Sequence, residues 1–233
     1  MTPVTLISVF DVDRTLTRLP TYTLFLLRSA LRNNPLRLLL LPALIPVALL
    51  NAAEILTRRQ MKMAMHAVLL GRRIPAGTAT SLADTFARHI HARGLLPEAV
   101  RRIGREQAEG RRVILATAAP ELYARPLAGL LDIDDVVATR CTWQDGDLLA
   151  TIQGENCYGP AKRDMLDAYL AEHGLPREAV HIRFFSDHAS DLPMFDWVDE
   201  PIAVNPSAAL TAIAKARGWP QFDWTSNRVR ANA

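Results

Sequence analysis

Residues 10–17 read Phe10-Asp11-Val12-Asp13-Arg14-Thr15-Leu16-Thr17 and directly follow the apolar run of residues 4–9. A β-branched apolar run of this kind predicts a buried strand. Two carboxylates two residues apart point to the same side where strand geometry continues, and such a pair is costly to bury without a cation. The pair is typical either of a solvated turn, where Asp is common, or of a site that holds a hard metal beside a nucleophile.

The composition is that of an ordinary globular protein. Of the 233 residues, 49% are hydrophobic and 22% are charged, which fits one large domain or a domain with an insert. The formal net charge of +3 favours anionic substrates or an anionic membrane surface, but it is too small to indicate nucleic-acid binding. Cys141 and Cys157 match neither a zinc-ligand spacing nor a disulfide framework. We therefore expect a protein of the reducing cytoplasm.

Strand and helix patterns alternate along most of the chain. Further strands are predicted at residues 113–116, 136–139, 181–185 and 201–204, and helices at 97–109, 161–172 and 207–216. Asp145-Gly146-Asp147 indicates the turn of a hairpin. This alternation predicts an α/β fold with a parallel sheet and helices on both faces. Ligands of such sheets bind at the carboxyl ends of the strands.

Residues 19–94 break this alternation and read as a helical insert between the first two strands. Within the insert, residues 22–31 and 36–55 are strongly apolar and are separated by a turn at 32–35. We favour a pair of buried helices. The alternative is an interfacial segment that dips into a bilayer with its flanking Arg side chains at the headgroups. A membrane span fits less well, because the uncharged stretch is shorter than about 20 residues and contains Pro42 and Pro46.

Polar side chains with complementary chemistry follow the ends of several predicted strands or begin a predicted helix. They are Asp11 with Asp13, Thr117, Lys162, and Asp187 with Asp191. Phosphoryl transfer to a carboxylate requires such a set: a nucleophile, an acid that serves the leaving oxygen, and a hydroxyl and an ammonium that hold the phosphate. Mg²⁺, which prefers oxygen ligands, would screen the nucleophile from the phosphate.

In order and spacing, these residues resemble the four motifs of the haloacid dehalogenase superfamily of aspartate-dependent phosphatases, subfamily IB, which includes phosphoserine phosphatase. The resemblance implies a Rossmann-like sheet core with an inserted helical cap. We assign residues 1–18 and 95–225 to the core and residues 19–94 to the cap. Residues 226–233 are expected to form a flexible tail.

The resemblance also implies a role for each residue. Asp11 would be the nucleophile and Asp13 the general acid and base, while Thr117 and Lys162 would bind phosphate. Asp191 would orient Lys162 or support the metal shell. The implied ligands of Mg²⁺ are Asp11, Asp13 through its backbone carbonyl, and Asp187.

Two departures from phosphoserine phosphatases bear on the substrate. Thr117-Ala118-Ala119-Pro120 stands where those enzymes usually carry Ser-Gly-Gly, and the insert is rich in Leu. We therefore expect a Mg²⁺-dependent phosphatase of a hydrophobic phosphomonoester, such as the lipid phosphatidylglycerophosphate, with peripheral membrane contact through the cap. Three alternatives stay open: a phosphatase of a soluble metabolite such as phosphoserine, a phosphotransferase, and a membrane-surface binding protein without turnover.

Overall fold

The computed structural model describes residues 4–225. Its strands are β1 (Thr5–Phe10), β2 (Arg73–Pro75), β3 (Arg112–Pro120), β4 (Asp135–Gln144), β5 (Asp147–Gln153), β6 (Val180–Ser186), β7 (Glu200–Val204) and β8 (Gln221–Phe222). Its α-helices are α1 (Thr21–Asn33), α2 (Leu44–Ala52), α3 (Arg58–Leu69), α4 (Ala76–Arg93), α5 (Pro97–Ala108), α6 (Glu121–Gly129), α7 (Pro160–Glu172), α8 (Leu192–Phe195) and α9 (Ala208–Arg217). Short 3₁₀ helices cover Pro35–Ala43, Arg177–Ala179 and Ala189–Asp191.

The strands form one sheet in the order β2-β5-β4-β3-β1-β6-β7-β8. The pairings β4–β3, β3–β1, β1–β6, β6–β7 and β7–β8 are parallel. Among the described residues, only the β4–β5 and β2–β5 pairings are antiparallel. β1 lies between β3 and β6, so the chain that leaves its carboxyl end emerges near the middle of that edge. The predicted α/β fold with a largely parallel, helix-covered sheet is confirmed.

Alternate residues of β1 pack on opposite faces of the sheet. Phe10 belongs to one apolar cluster, with side chains of α1, α4, α5 and α6. Ile7 and Val9 belong to a second cluster, with side chains of α7 and α9. A strand buried on both faces reads as the continuous apolar run seen here, which is why β1 was predictable from sequence.

The two ends of the insert meet beside the core. Thr17 forms a β-bridge with Leu95, and Leu96 N donates to Leu16 O. The chain therefore leaves and re-enters the core at adjacent points, and the boundaries of the cap, residues 19–94, stay a prediction. The insert is not wholly helical, because β2 pairs with β5 of the hairpin. The predicted tail, residues 226–233, lies outside the described residues.

The expectation of two buried helices in the insert is correct for the first and wrong for the second. Phe25, Leu26 and Ala30 of α1 are buried. Residues 36–55 instead form a 3₁₀ helix and α2, and neither element contains a buried residue. Pro42 and Pro46 lack the N–H groups that a continuous α-helix needs. The two elements lie against α1 and α3 and leave most of their side chains on the surface.

Candidate active site

Asp11 occupies the first position beyond β1, and its carboxylate is buried beside a cation. The backbone N–H of Asp11 donates to Phe185 O at 2.9 Å, which continues the β1–β6 pairing by one residue. Lys162 Nζ donates to Asp11 Oδ1 at 2.8 Å. Burial raises the pKa of Asp11 to about 7, against the opposing effect of Lys162 and with a further increase from the Asp191 and Asp13 carboxylates.

Lys162 is held between two carboxylates at the start of α7. Gly159 precedes that helix with a φ of 59°, a conformation that glycine adopts without strain. Lys162 Nζ also donates to Asp191 Oδ2 at 2.7 Å, and Ser186 Oγ donates to the same oxygen at 2.6 Å. Burial lowers the pKa of Lys162, but Asp11 and Asp191 outweigh burial and raise the pKa above its usual value. Lys162 therefore stays a cation in the site.

Asp13 is held by the first turn of the insert. Its Oδ1 accepts from the Thr21 backbone N–H at 2.8 Å and from Thr21 Oγ1 at 2.7 Å. Thr21 Oγ1 in turn lies 2.9 Å from the Tyr123 hydroxyl of α6. Burial, with a smaller effect of Asp13, raises the pKa of Tyr123 well above its usual value, so the phenol stays neutral. Both hydrogen bonds fall on one oxygen of Asp13, which fixes the orientation of the carboxylate.

Two further predicted residues lie at strand ends. Asp187 directly follows β6, and Thr117 lies near the end of β3. Burial raises the pKa of Asp187 to about 6, with a contribution from Asp191. The Asp187 carbonyl accepts from Ser207 N at 2.8 Å. Thr117 Oγ1 accepts from Ala119 N at 3.1 Å and is thus engaged within its own loop.

These elements enclose one cavity of about 330 Å³. Of the predicted site residues, the cavity is lined by Asp11, Asp13, Lys162, Asp187 and Asp191. Ala118, the neighbour of Thr117, also lines the cavity. The structure thus brings five of the six predicted side chains together, whereas Thr117 is absent from the described lining of the cavity.

The sequence model of the haloacid dehalogenase-like hydrolases matches residues 8–196. The chain belongs to this family. That match covers the end of the first strand, the insert and all of the predicted site residues.

Known proteins resemble the chain over different lengths. Histidinol-phosphatase of Neisseria meningitidis is 32% identical over 120 residues, which cover 51% of this chain and 54% of that protein. Phosphoserine phosphatase of Mycobacterium tuberculosis is 30% identical over 122 residues, covering 52% of this chain and 39% of that protein. The chain therefore spans about half the length, or less, of these curated relatives. A Bordetella pertussis protein of unknown function has a TM-score of 0.83 at 26% identity, over 95% of this chain and 99% of that one.

Two cationic residues of the insert line the cavity of this haloacid dehalogenase-like protein and were not predicted as site residues. Lys62 of α3 donates to Ala118 O at 2.6 Å and to Asn156 Oδ1 at 2.8 Å, and burial lowers the pKa of Lys62 to about 8. The Arg58 guanidinium lies 4.6 Å from the centre of the Tyr158 ring. Lys is rare in this chain, with three residues in all, and two of the three face this cavity, but no spacing in α3 marks Lys62 as a site residue.

The donor set of the cavity fits the Mg²⁺ that the family resemblance implies. Asp11 and Asp187 present carboxylates to the same space, and Asp191 Oδ1 is buried without a hydrogen-bond partner. Residues 4–225 contain no group of three or more His, Cys, Asp or Glu side chains spaced for a metal. The implied set needs only two carboxylates, because its third ligand is the Asp13 backbone carbonyl. Oxygen ligands of this kind, completed by waters, are what Mg²⁺ prefers.

Proposed function

We propose that this protein is a Mg²⁺-dependent phosphatase that hydrolyses a phosphomonoester through an aspartyl-phosphate on Asp11. The observation that carries the proposal is the Asp11 carboxylate in the cavity wall, 2.8 Å from the Lys162 ammonium. The neighbouring ammonium orients the carboxylate and favours its charged form, which a nucleophile requires, against the effect of burial. Family membership and the two relatives named as phosphatases support the same reaction class.

The reaction has two steps. In the first, a carboxylate oxygen of Asp11 bonds to phosphorus while the bond from phosphorus to the ester oxygen breaks. Asp13 gives its proton to that oxygen, so the product leaves as an alcohol. In the second, Asp13 takes a proton from a water whose oxygen attacks the same phosphorus. Inorganic phosphate leaves, and the Asp11 carboxylate is restored.

The surrounding groups make these steps feasible. Thr21 engages Asp13 Oδ1, so Oδ2 is the oxygen placed to give and take the proton. Lys162 offsets the negative charge that gathers on Asp11 and the phosphoryl oxygens. Asp191 and Ser186 fix the ammonium in place. Bound Mg²⁺ would reduce the repulsion between the anionic phosphate and the carboxylates.

The cavity lining supports a polar substrate. Lys62 and Arg58 reach it from the insert, and Asn156 and Tyr158 reach it from the core. Because the Lys62 ammonium bonds to neutral oxygens, it is available to an anionic group of the substrate. Phosphoserine and histidinol phosphate, the substrates in the relatives' names, are small polar molecules of this class. A lipid phosphate is the second candidate, favoured by the exposed apolar segment of the insert.

The test is hydrolysis of p-nitrophenyl phosphate by wild type and Asp11→Asn, with Mg²⁺ and with EDTA. We expect Asp11→Asn to lose at least about 10³-fold in kcat, since the covalent step has no substitute. Wild-type turnover in this variant would refute the assignment of the nucleophile. A panel of phosphoserine, histidinol phosphate and phosphatidylglycerophosphate, read by kcat/KM, then separates the two substrate classes.

A further inference from the structure

The insert exposes an unusually large apolar surface. The segment Pro35–Ala52 has a mean hydropathy of 1.8 over 18 residues, and none of it is buried. We call its exposed large side chains the leucine face: Leu36, Leu39, Leu40, Leu41, Ile45, Leu49 and Leu50. Leu39 is 76% exposed and Leu49 is 65% exposed. Soluble monomers rarely leave contiguous apolar patches of this kind uncovered.

The leucine face is an integral part of the folded chain. It follows β1, the strand paired to both β3 and β6, so it cannot be removed as a leader without destroying the sheet. Both ends of the segment are tied to the insert. Arg37 Nη1 donates to Val68 O of α3 at 3.0 Å, and Asn51 Nδ2 donates to Leu56 O at 2.7 Å. Because α3 lies against both halves of the segment, the leucine face lies along the protein and does not cross a bilayer.

The charge around the leucine face is strongly one-sided. Between Asp13 and Asp84 the sequence contains ten Lys or Arg residues and one acidic residue, Glu54, which gives this region a net charge of +9 in a chain whose total is +3. Of these cations, Arg14, Arg58 and Lys62 line the cavity, and Arg73 pairs with Asp145 and Asp147. Arg28 and Arg32, just before the segment, are exposed. Exposed Lys and Arg beside an apolar surface are attracted to anionic lipid headgroups.

We propose that the leucine face docks on an anionic lipid bilayer, with the segment lying in the plane of the interface. Apolar burial and the basic surroundings act together in this arrangement. A protein partner fits less well, because interfaces depend on aromatic and charged anchors, and residues 38–53 contain neither. The amide of Asn51 is already bonded to Leu56 O. Aliphatic side chains without polar neighbours suit a fluid apolar phase.

The test is co-sedimentation of the full chain with phosphatidylcholine vesicles that contain roughly one third phosphatidylglycerol, compared with pure phosphatidylcholine vesicles. We expect binding to the anionic vesicles that is at least about 10-fold tighter. The variant Leu39→Glu/Leu49→Glu should lose at least about 10-fold in that binding. The matched control is Val100→Glu/Leu130→Glu, which adds the same charges at two other exposed apolar positions and should bind as wild type does.

Three results would overturn the proposal: wild type that does not sediment with anionic vesicles, equal loss in both double variants, or a wild-type dimer that Leu39→Glu/Leu49→Glu dissociates without any vesicle binding. The last result would assign the leucine face to a second copy of the chain. Hydrolysis of p-nitrophenyl phosphate is measured in parallel and should be unchanged in both variants. Absence of hydrolysis in every protein would refute the proposed phosphatase activity while leaving the vesicle result to stand by itself.

Discussion

Replacing Lys162 by Met should destabilise the protein strongly, because it leaves two buried carboxylates without their cation. The side chains of Lys162 and Asp11 are 2% and 9% exposed, and their charged atoms are 2.8 Å apart. Lys162 lies 2.7 Å from Asp191, whose side chain is 3% exposed. At an effective dielectric constant of about 20, each contact is worth about 6 kcal/mol of attraction.

The net cost is smaller than this sum. Removing the ammonium also removes its own desolvation penalty of several kcal/mol, and broken buried pairs typically cost about 3–5 kcal/mol. For a protein of this size, that corresponds to a fall of about 10 °C in Tm. In urea, with a slope of about 2–3 kcal/mol/M, the midpoint should fall by about 1.5 M. The measurement is equilibrium unfolding in EDTA, so that no metal ion replaces the lost charge.

Two comparisons make this result specific. Lys215→Met on α9 is the matched control, since Lys215 is exposed and its replacement should change stability by less than about 0.5 kcal/mol. Asp191→Asn combined with Lys162→Met removes one of the two unpaired buried carboxylates. The free energy of unfolding of this double variant should be about 1–3 kcal/mol higher than the sum of the two single effects predicts. Equal midpoints for Lys162→Met and Lys215→Met, or a strictly additive double variant, would refute the charge argument.

Three further predictions concern side chains of the insert. Thr21→Val should lower kcat about 10-fold or more, because Asp13 loses the hydrogen bond from the Thr21 hydroxyl. Thr21→Ser keeps that hydroxyl and should keep the wild-type kcat. Equal kcat values for the two variants would contradict the orienting role of Thr21. Lys62→Met should raise KM for an anionic phosphomonoester about 10-fold with kcat little changed, and Lys62→Arg should restore part of it, which steady-state kinetics would show. Burial lowers the pKa of His66 to about 4 from 6.5, so the unfolded chain takes up a proton at a higher pH than the folded chain does. The free energy of unfolding is therefore highest above pH 6.5 and falls as the pH drops toward 4, by about 2 kcal/mol at pH 5. His66→Phe should remove that part of the pH dependence in urea unfolding, and an unchanged pH profile would exclude His66 as its source.

The sequence predicted those parts of the fold and site that depend on local pattern. β1 and the position of Asp11 follow from an apolar run that ends in an acid. Lys162 and Asp191 follow from their places at a helix start and after a strand. The same edge of the sheet then brings the Lys162 ammonium within 2.8 Å of both carboxylates, as expected for a parallel sheet. The assigned chemical roles of these residues stay predictions.

Features that depend on long-range packing could not be predicted. Residues 36–55 are apolar enough for a core, but hydropathy does not show whether other elements cover them. β2 has three residues and exists through its pairing with β5. Lys62 reaches the cavity because α3 packs where its ammonium meets Ala118 O, whose position depends on a different strand. No local pattern in α3 encodes that contact.

The insert is held to the core unevenly, and this bears on access to the site. α4 buries six residues, and Phe25 of α1 and Phe86 of α4 pack against Tyr123 with ring centres 4.8 and 5.0 Å away. α3 buries one residue, Leu69, and meets the core through the hydrogen bonds of Lys62 and Arg59. Elements with little buried apolar surface separate at lower free-energy cost. Separation of α3 would open the cavity while α1 keeps Thr21 on Asp13. In the proposed reaction, substrate would then enter without disturbing Asp13, the residue to which the proton transfer is assigned.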